Sequence, residues 1–428
     1  MKLRRSLVAV AALALPAVAC QLLVGIDDHD FRTPDGAIPV EAGADAIPLT
    51  CTFGAGPPPQ PTILDDVDQP PIVFAVRHAT LGGRNADGGV VGFDVDGVCT
   101  CDARDHSARE GGVSCTPPAS PLQPGGCDED GGIDNAIAYA FDFFSLVPDF
   151  ATAGRAIDVQ INCGRQTMLY TLSGYNGQAN DPSVTLVGFE AVGIHEPQDG
   201  GIADGSACGV DEAAFEAGAT YPAKFDGTDV WSKSTDTQAG VLTGWVRDFQ
   251  LVLDGRPRVG LSSPVLPFLF GPRVVTIGTP IMVARLVPLD ENGKPLAIDG
   301  AGKIQSLDGK ARSFRLEDGL VGGRASASDV LVATGAIRVA GAQPGQADLC
   351  AHLDQYCVVK GIVCSAVDTM KLPNLDFRGV PCDAVTMALQ FDAVPASLSP
   401  IARPPEPGSD SGCAKNFTDS CDDAAICP

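Results

Sequence analysis

Cys127-Asp128-Glu129-Asp130-Gly131-Gly132-Ile133-Asp134-Asn135 opens the stretch, residues 127–186, on which the reading of the fold turns. A short amphipathic run follows at 136–147, then two strand-like runs at 157–162 and 167–173. The turn Gly174-Tyr175-Asn176-Gly177-Gln178-Ala179-Asn180-Asp181-Pro182 leads into a further strand at 183–187. An acidic Gly-rich loop, a strand, a Gly/Asn turn and a return strand are the makings of a β-sandwich.

Outward from this stretch the same grammar continues. Residues 71–78 alternate as a strand, with Ile72, Phe74 and Val76 on one face, and 90–96 reads as another. Residues 100–126 are Gly/Pro/Ser-rich and aperiodic, a loop. The segment 240–253 places Trp245, Phe249, Leu251 and Leu253 at period two, a half-buried strand. A long strand region covers 274–289, where Pro280 marks an edge or a break. Asp290-Glu291-Asn292-Gly293 is a hairpin-type turn, 311–316 a strand, 321–334 a short helix and 384–391 a closing strand. No repeat period emerges. With 49 Gly and 34 Pro, many short strands and turns fit better than long helices. The expected fold is mainly β: a β-sandwich, jelly-roll or lectin-like, with a short Cys-rich helical segment near the C-terminus. The expected body spans 51–345, the helix plus closing strand 346–399, and a Pro-rich linker with a disulfide-held tail 400–428.

The first 19 residues read as an export signal. Lys2, Arg4 and Arg5 precede a short apolar run, and Ala17-Val18-Ala19 ends it before Cys20. The run is too short to span a bilayer, and no later stretch approaches ~20 apolar residues. Ala17-Val18-Ala19-Cys20 resembles the lipobox of bacterial lipoproteins, with Ala17 where Leu is usual. That resemblance implies lipidation of Cys20, and Gln21 after it points to the outer membrane, on its periplasmic or cell-surface face. Residues 20–50 are small, acidic and aperiodic, an expected disordered tether.

Export makes disulfides available. Setting Cys20 aside, the other 14 of the 15 cysteines fall into two blocks of seven, 51–208 and 350–427. Complete pairing then demands at least one bridge between the blocks. Residues 346–369 read as a helix, with Cys350, Cys357 and Cys364 seven apart on one face. Two turns separate Cα atoms by about 10.5 Å, against the roughly 4.4–6.8 Å of a disulfide. These three cannot pair with one another on an intact helix; Cys382 and the tail cysteines are natural partners. Zinc sites favour C-x2-4-C pairs, which the first block lacks, so disulfides are the better reading.

Gly92-Phe93-Asp94-Val95-Asp96-Gly97-Val98-Cys99-Thr100-Cys101, Gly132-Ile133-Asp134-Asn135, Ser173-Gly174-Tyr175-Asn176-Gly177 and Pro381-Cys382-Asp383-Ala384 together resemble a group of uncharacterised Cys-rich secreted bacterial lipoproteins. The resemblance spans most of the mature chain. It implies no activity and carries over no site residue.

The formal charge of −24 repels nucleic acid and anionic headgroups, so no nucleic-acid partner is expected. Acidity also serves plain solubility. Asp128, Asp130 and Asp134 form one candidate calcium loop, Asp94 and Asp96 another, since Ca²⁺ takes about six to eight oxygens. The alternative for the first loop is a solvated turn whose Asp134 or Asn135 caps the following helix. Trp231 and Tyr175, in loop-like stretches, are candidates for stacking on sugar rings; Trp245 reads as core. G-x-S-x-G, H-E-x-x-H and P-loop motifs are missing. The expected function is an exported, membrane-anchored binding or adhesion module for extracellular polysaccharide or an envelope protein, with calcium as a candidate cofactor. A structural envelope protein and, behind it, a carbohydrate-active hydrolase are the alternatives.

Overall fold

The computed structural model describes residues 57–62, 67–82, 89–95, 115–118, 133–144, 161–194, 223–235, 239–255, 265–270, 273–337, 348–376, 379–402, 417–423 and 427, all inside the compact unit 49–428. Among the described residues eleven strands carry it: β1 (Ile72–Leu81), β2 (Gln166–Ser173), β3 (Asp181–Ile194), β4 (Val230–Lys233), β5 (Gly240–Arg247), β6 (Gln250–Asp254), β7 (Val265–Phe270), β8 (Arg273–Leu289), β9 (Ser313–Ser326), β10 (Ala384–Pro395) and β11 (Ser397–Leu398). Three described α-helices join them: α1 (Ala136–Phe144), α2 (Ala327–Gly335) and α3 (Leu353–Ser365). The chain is mainly β with a Cys-rich helix near its C-terminus, as the sequence leads one to expect.

The sheet closes on itself. β3 pairs β2 along one side; along the other it pairs β5 over its first half and β4 beyond. The ring therefore runs β1-β2-β3-β5-β6-β8-β9-β10 and back to β1, antiparallel throughout. The opposed sheets of the expected sandwich are opposite walls of one closed barrel, which leaves no open edge along the ring. β8 divides its side as β3 does, pairing β6 with one half and β7 with the other.

Alternation explains the closure. Met168, Tyr170, Leu172, Val184, Leu186, Leu251, Leu253, Met282, Ala284, Leu286, Leu389 and Phe391 point into one buried core, at the period of two that strands impose. On β1–β3 the intervening residues are buried too. Ala75, Leu169, Phe189 and Ala191 form a second, outer cluster with Trp231 of β4. Glycine sets the closest approach: a Cβ on Gly240 would lie 2.1 Å from the Val265 carbonyl oxygen, and one on Gly188 2.5 Å from Leu266 Cδ1. Both gaps admit β7 against β3 and β5.

Several local expectations change. Residues 240–253 are a hairpin, not one strand: Arg247 pairs Gln250 around Asp248 and Phe249. Both turn residues have positive φ, 50° and 61°, as a two-residue primed turn requires. Phe249 accepts this because its ring is buried and its backbone is engaged, N–H to Ala179 O at 2.8 Å and O from Leu286 N–H at 2.8 Å. Residues 321–326 extend β9, so the helix begins only at Ala327. The 90–96 strand reduces to bridges at Val90 and Phe93. Ile161 and Asn162 are helical, while 157–160 lie outside the described residues. The 346–369 helix is shorter: a 3-10 turn, Leu349–Ala351, is separated from α3 by His352 at φ −112°, ψ 70°. Pro280 does mark a break, with Thr279 at φ 50° and a register shift between Gly278 and Ile281.

Cys115–Cys382 joins the two cysteine blocks, as the parity argument requires, with Cα atoms 5.1 Å apart. Cys357–Cys427 and Cys364–Cys421 tie α3 to the tail at 5.5 and 5.4 Å. Cys163 and Cys350 are also disulfide-bonded.

Candidate functional site

The acidic loop reaches the described residues at Asp134. Its carboxylate is buried, and Oδ2 accepts the Val95 N–H at 2.7 Å, while its own N–H bonds Phe93 O at 2.9 Å. Asn135 follows, also buried, donating to Val91 O at 2.7 Å and accepting from Ala388 N–H at 3.1 Å. The expected capping of α1 is performed across space. The Ala136 N–H bonds the Thr386 hydroxyl at 3.0 Å, a hydroxyl in its usual capping role but from a different strand. Thr386 is in turn gripped by Asp368, whose Oδ1 accepts its N–H at 2.7 Å and whose Oδ2 accepts its hydroxyl. Asp94 is half-buried beside this turn. Asp128, Asp130 and Asp96, the remaining calcium candidates, lie outside the described residues, as does Cys20. Among the described residues no group of three or more His, Cys, Asp or Glu is placed to hold a metal ion.

The two stacking candidates are core residues. Tyr175 is 1 % exposed and packs edge-on against Phe314, ring centroids 5.3 Å apart. Its hydroxyl donates to Gln178 O at 2.7 Å. Burial first, and the Asp181 charge second, push the Tyr175 hydroxyl well above its ordinary pKa. Asp181, fully buried, organises the turn by accepting from Asn176 N–H at 2.7 Å and Ser183 N–H at 2.9 Å. Trp231 is 0 % exposed, and its indole Nε1 has no hydrogen-bond partner. A ring sealed on both faces offers no platform to a sugar, so these two residues stabilise the barrel instead. Trp245, read as core, is only half-buried and donates Nε1–H to Pro58 O at 3.0 Å. The inversion arises because 223–231 folds back over the outer face of β1–β3.

Two buried ion pairs escaped the sequence reading. Arg324 on β9 meets Asp376 at 2.6 Å, side chains 3 % and 7 % exposed. The same guanidinium nitrogen donates to Met370 O at 3.1 Å. Asp376 also accepts the Cys115 N–H at 3.0 Å and the Thr369 hydroxyl at 3.0 Å. This cluster lies against the Cys115–Cys382 bridge and fixes the loop after α3 onto the barrel.

The second pair is Lys360 of α3 with Asp419 of the tail, Nζ to Oδ1 2.8 Å, side chains 7 % and 0 % exposed. The Tyr356 hydroxyl donates to Asp419 Oδ2 at 2.7 Å, and the Ser420 N–H to Oδ1 at 2.8 Å. Lys360 also donates to Asp423 O. Phe417 packs edge-on against Tyr356 at 5.0 Å. The signal in the sequence was Tyr356 and Lys360 four apart on one helix face, beside the apolar Val359 and Val363. A lysine among such residues marks a buried charge, but its partner, 59 residues away, could not be read from spacing.

No family model, curated protein or solved structure matches the chain. No described helix is long and apolar enough to cross a membrane. Among the described residues the two buried ion pairs hold the tail and the post-α3 loop, and buried apolar side chains form the barrel core.

Proposed function

We propose that the chain is an exported, membrane-tethered binding or adhesion module that engages extracellular polysaccharide or an envelope protein through its outer surface. The observation that carries this reading is the packed barrel interior within a frame stapled by disulfides over long separations, 267 residues for Cys115–Cys382. Such bridges belong to an oxidising compartment, in keeping with lipidation at Cys20 in a bacterial outer-membrane lipoprotein. A buried apolar core directs attention to the loops and outer faces, where adhesion modules work. With Trp231 and Tyr175 sealed, a sugar would have to use other groups, of which half-exposed Trp245 is the first to consider. Calcium would enter through Asp128 and Asp130 ahead of Asp134, or through Asp94 and Asp96.

A structural envelope role without a small ligand is the second reading. The two buried ion pairs favour it, since each fastens one part of the chain to another rather than facing solvent. A glycan array probed with the soluble chain from residue 51, in calcium and in chelator, separates the two. Chelator-sensitive binding supports a calcium-assisted adhesion module, and chelator-insensitive binding supports adhesion without the metal. A blank array together with no capture of purified envelope proteins would overturn the binding reading in favour of the structural one.

A further inference from the structure

We propose that Lys360 and Asp419 become joined by an amide bond between the lysine Nζ and the aspartate Cγ, an internal cross-link formed by the folded chain itself. The two side chains already touch at 2.8 Å, and both are buried. The tail is positioned on both sides of Asp419. Cys421, two residues on, is bridged to Cys364 of α3, and Cys427 to Cys357. The Ser328 hydroxyl of α2 holds the Asp419 carbonyl at 2.8 Å, and Phe417 is packed on Tyr356. A nucleophile and an electrophile held this way react as one molecule, with effective concentrations of about 10⁵–10⁸ M in favourable cases.

The chemistry balances without any further reactant. The step begins when one ammonium proton passes from Nζ to Oδ1, the oxygen it touches at 2.8 Å. The amine nitrogen attacks Cγ, and the charge that builds on Oδ2 faces the Tyr356 hydroxyl at 2.7 Å, a fixed donor of the kind that stabilises such oxyanions. The nitrogen then gives a second proton to Oδ1, which already carries the first, the Cγ–Oδ1 bond breaks, and Oδ1 departs as water beside the Ser420 N–H. Tyr356 holds the oxygen that stays in the amide. Burial, followed by the hydrogen bond to Asp419, raises its pKa, so the phenol stays protonated and able to donate. One N–C bond forms, one C–O bond breaks, and one water leaves. Tyr356 is a catalytic residue here, because it touches the reacting carboxyl.

Peptide mapping of the full chain, produced through export and then reduced and alkylated, tests the proposal. The expected product is a branched peptide joining the Lys360 and Asp419 segments, lighter by one water than the two together, with no tryptic cleavage after Lys360. Lys360→Arg keeps the charge pair but removes the nucleophile, and should give only linear peptides. Tyr356→Phe should slow appearance of the branched form after refolding while leaving the far-UV spectrum unchanged. Two linear peptides in full yield from wild-type chain, in material whose Cys357–Cys427 and Cys364–Cys421 bridges are confirmed, would overturn the proposal. So would a branched peptide surviving in Lys360→Arg, since the lost water would then lie elsewhere.

Discussion

Replacing Asp376 by alanine should be among the most damaging single changes available in the barrel. The substitution strands Arg324, whose side chain is 3 % exposed, with a charge and only a carbonyl neighbour at Met370. It also removes the acceptor for the Cys115 N–H and the Thr369 hydroxyl. Removing one partner of a buried pair costs about 3–5 kcal/mol, and each orphaned neutral donor adds roughly 1–3 kcal/mol where water cannot reach it. Against a typical total stability of about 5–15 kcal/mol, the variant should sit near its unfolding threshold. Urea unfolding of oxidised protein, followed by tryptophan fluorescence, measures the loss as a shift in midpoint at constant slope. The companion variant, Arg324→Met with Asp376→Asn, removes the charge and keeps a carbonyl acceptor for Cys115. It should recover most of the loss, because a buried ion pair can often be exchanged for uncharged packing at little cost. A loss below about 1 kcal/mol in Asp376→Ala would refute the reasoning, since exposed pairs are worth no more than that.

Three further outcomes follow from other parts of the fold. Trp231→Ala should lower stability by about 3–5 kcal/mol, measured by thermal melting, whereas Trp245→Ala should cost clearly less because that ring is half-exposed; equal losses would contradict the assigned burial. Serine at both Cys115 and Cys382 should cost about 2–5 kcal/mol in denaturant unfolding, and non-reducing peptide maps should link these two cysteines in the wild-type chain. Asp290 and Asp299 have pKa values lowered first by the backbone N–H groups of Lys294 and Lys303. Their turns therefore gain stability above the ordinary aspartate pKa and lose it as pH falls through the lowered folded values. NMR titration of the Lys294 and Lys303 amides should show midpoints below the ordinary aspartate range, and midpoints at or above it would rule the turns out.

The class of fold was legible because alternation and turn chemistry act locally. Arg273–Leu289 declared itself by its apolar face, and Pro280 by the donor it lacks. The bridge between cysteine blocks was legible from parity alone. Barrel closure was not, because it depends on a turn at Asp248-Phe249 whose residues do not advertise positive φ, and whose strain is offset by tertiary contacts. The Gly-rich run Gly319-Leu320-Val321-Gly322-Gly323 hid the second half of β9, whose start at Ser313 the 311–316 strand had marked. Its glycines serve packing, since a Cβ on Gly319 would lie 2.6 Å from the Phe391 ring. Tyr175 and Trp231 were misplaced for a related reason. Burial of a loop residue depends on what folds over it, which local pattern does not encode. Asp134 illustrates what counting carboxylates leaves out: its Oδ2 accepts the Val95 N–H across 39 residues, a contact no spacing encodes.

The route by which the chain enters the barrel governs how it bears load. Tension entering at Pro57 meets two side chains that clasp the backbone of the leading segment, Trp245 at Pro58 O and Arg247 at Pro59 O, and the segment's own Gln60, whose side chain donates to Pro182 O. Behind them the force passes into β1, which has β2 on one side and β10 on the other. Tension directed along that strand strains both ladders together instead of peeling one bond after another. The clasp yields early and cheaply, while the barrel behind it resists as a unit, a mechanical fuse set in front of a rigid anchor.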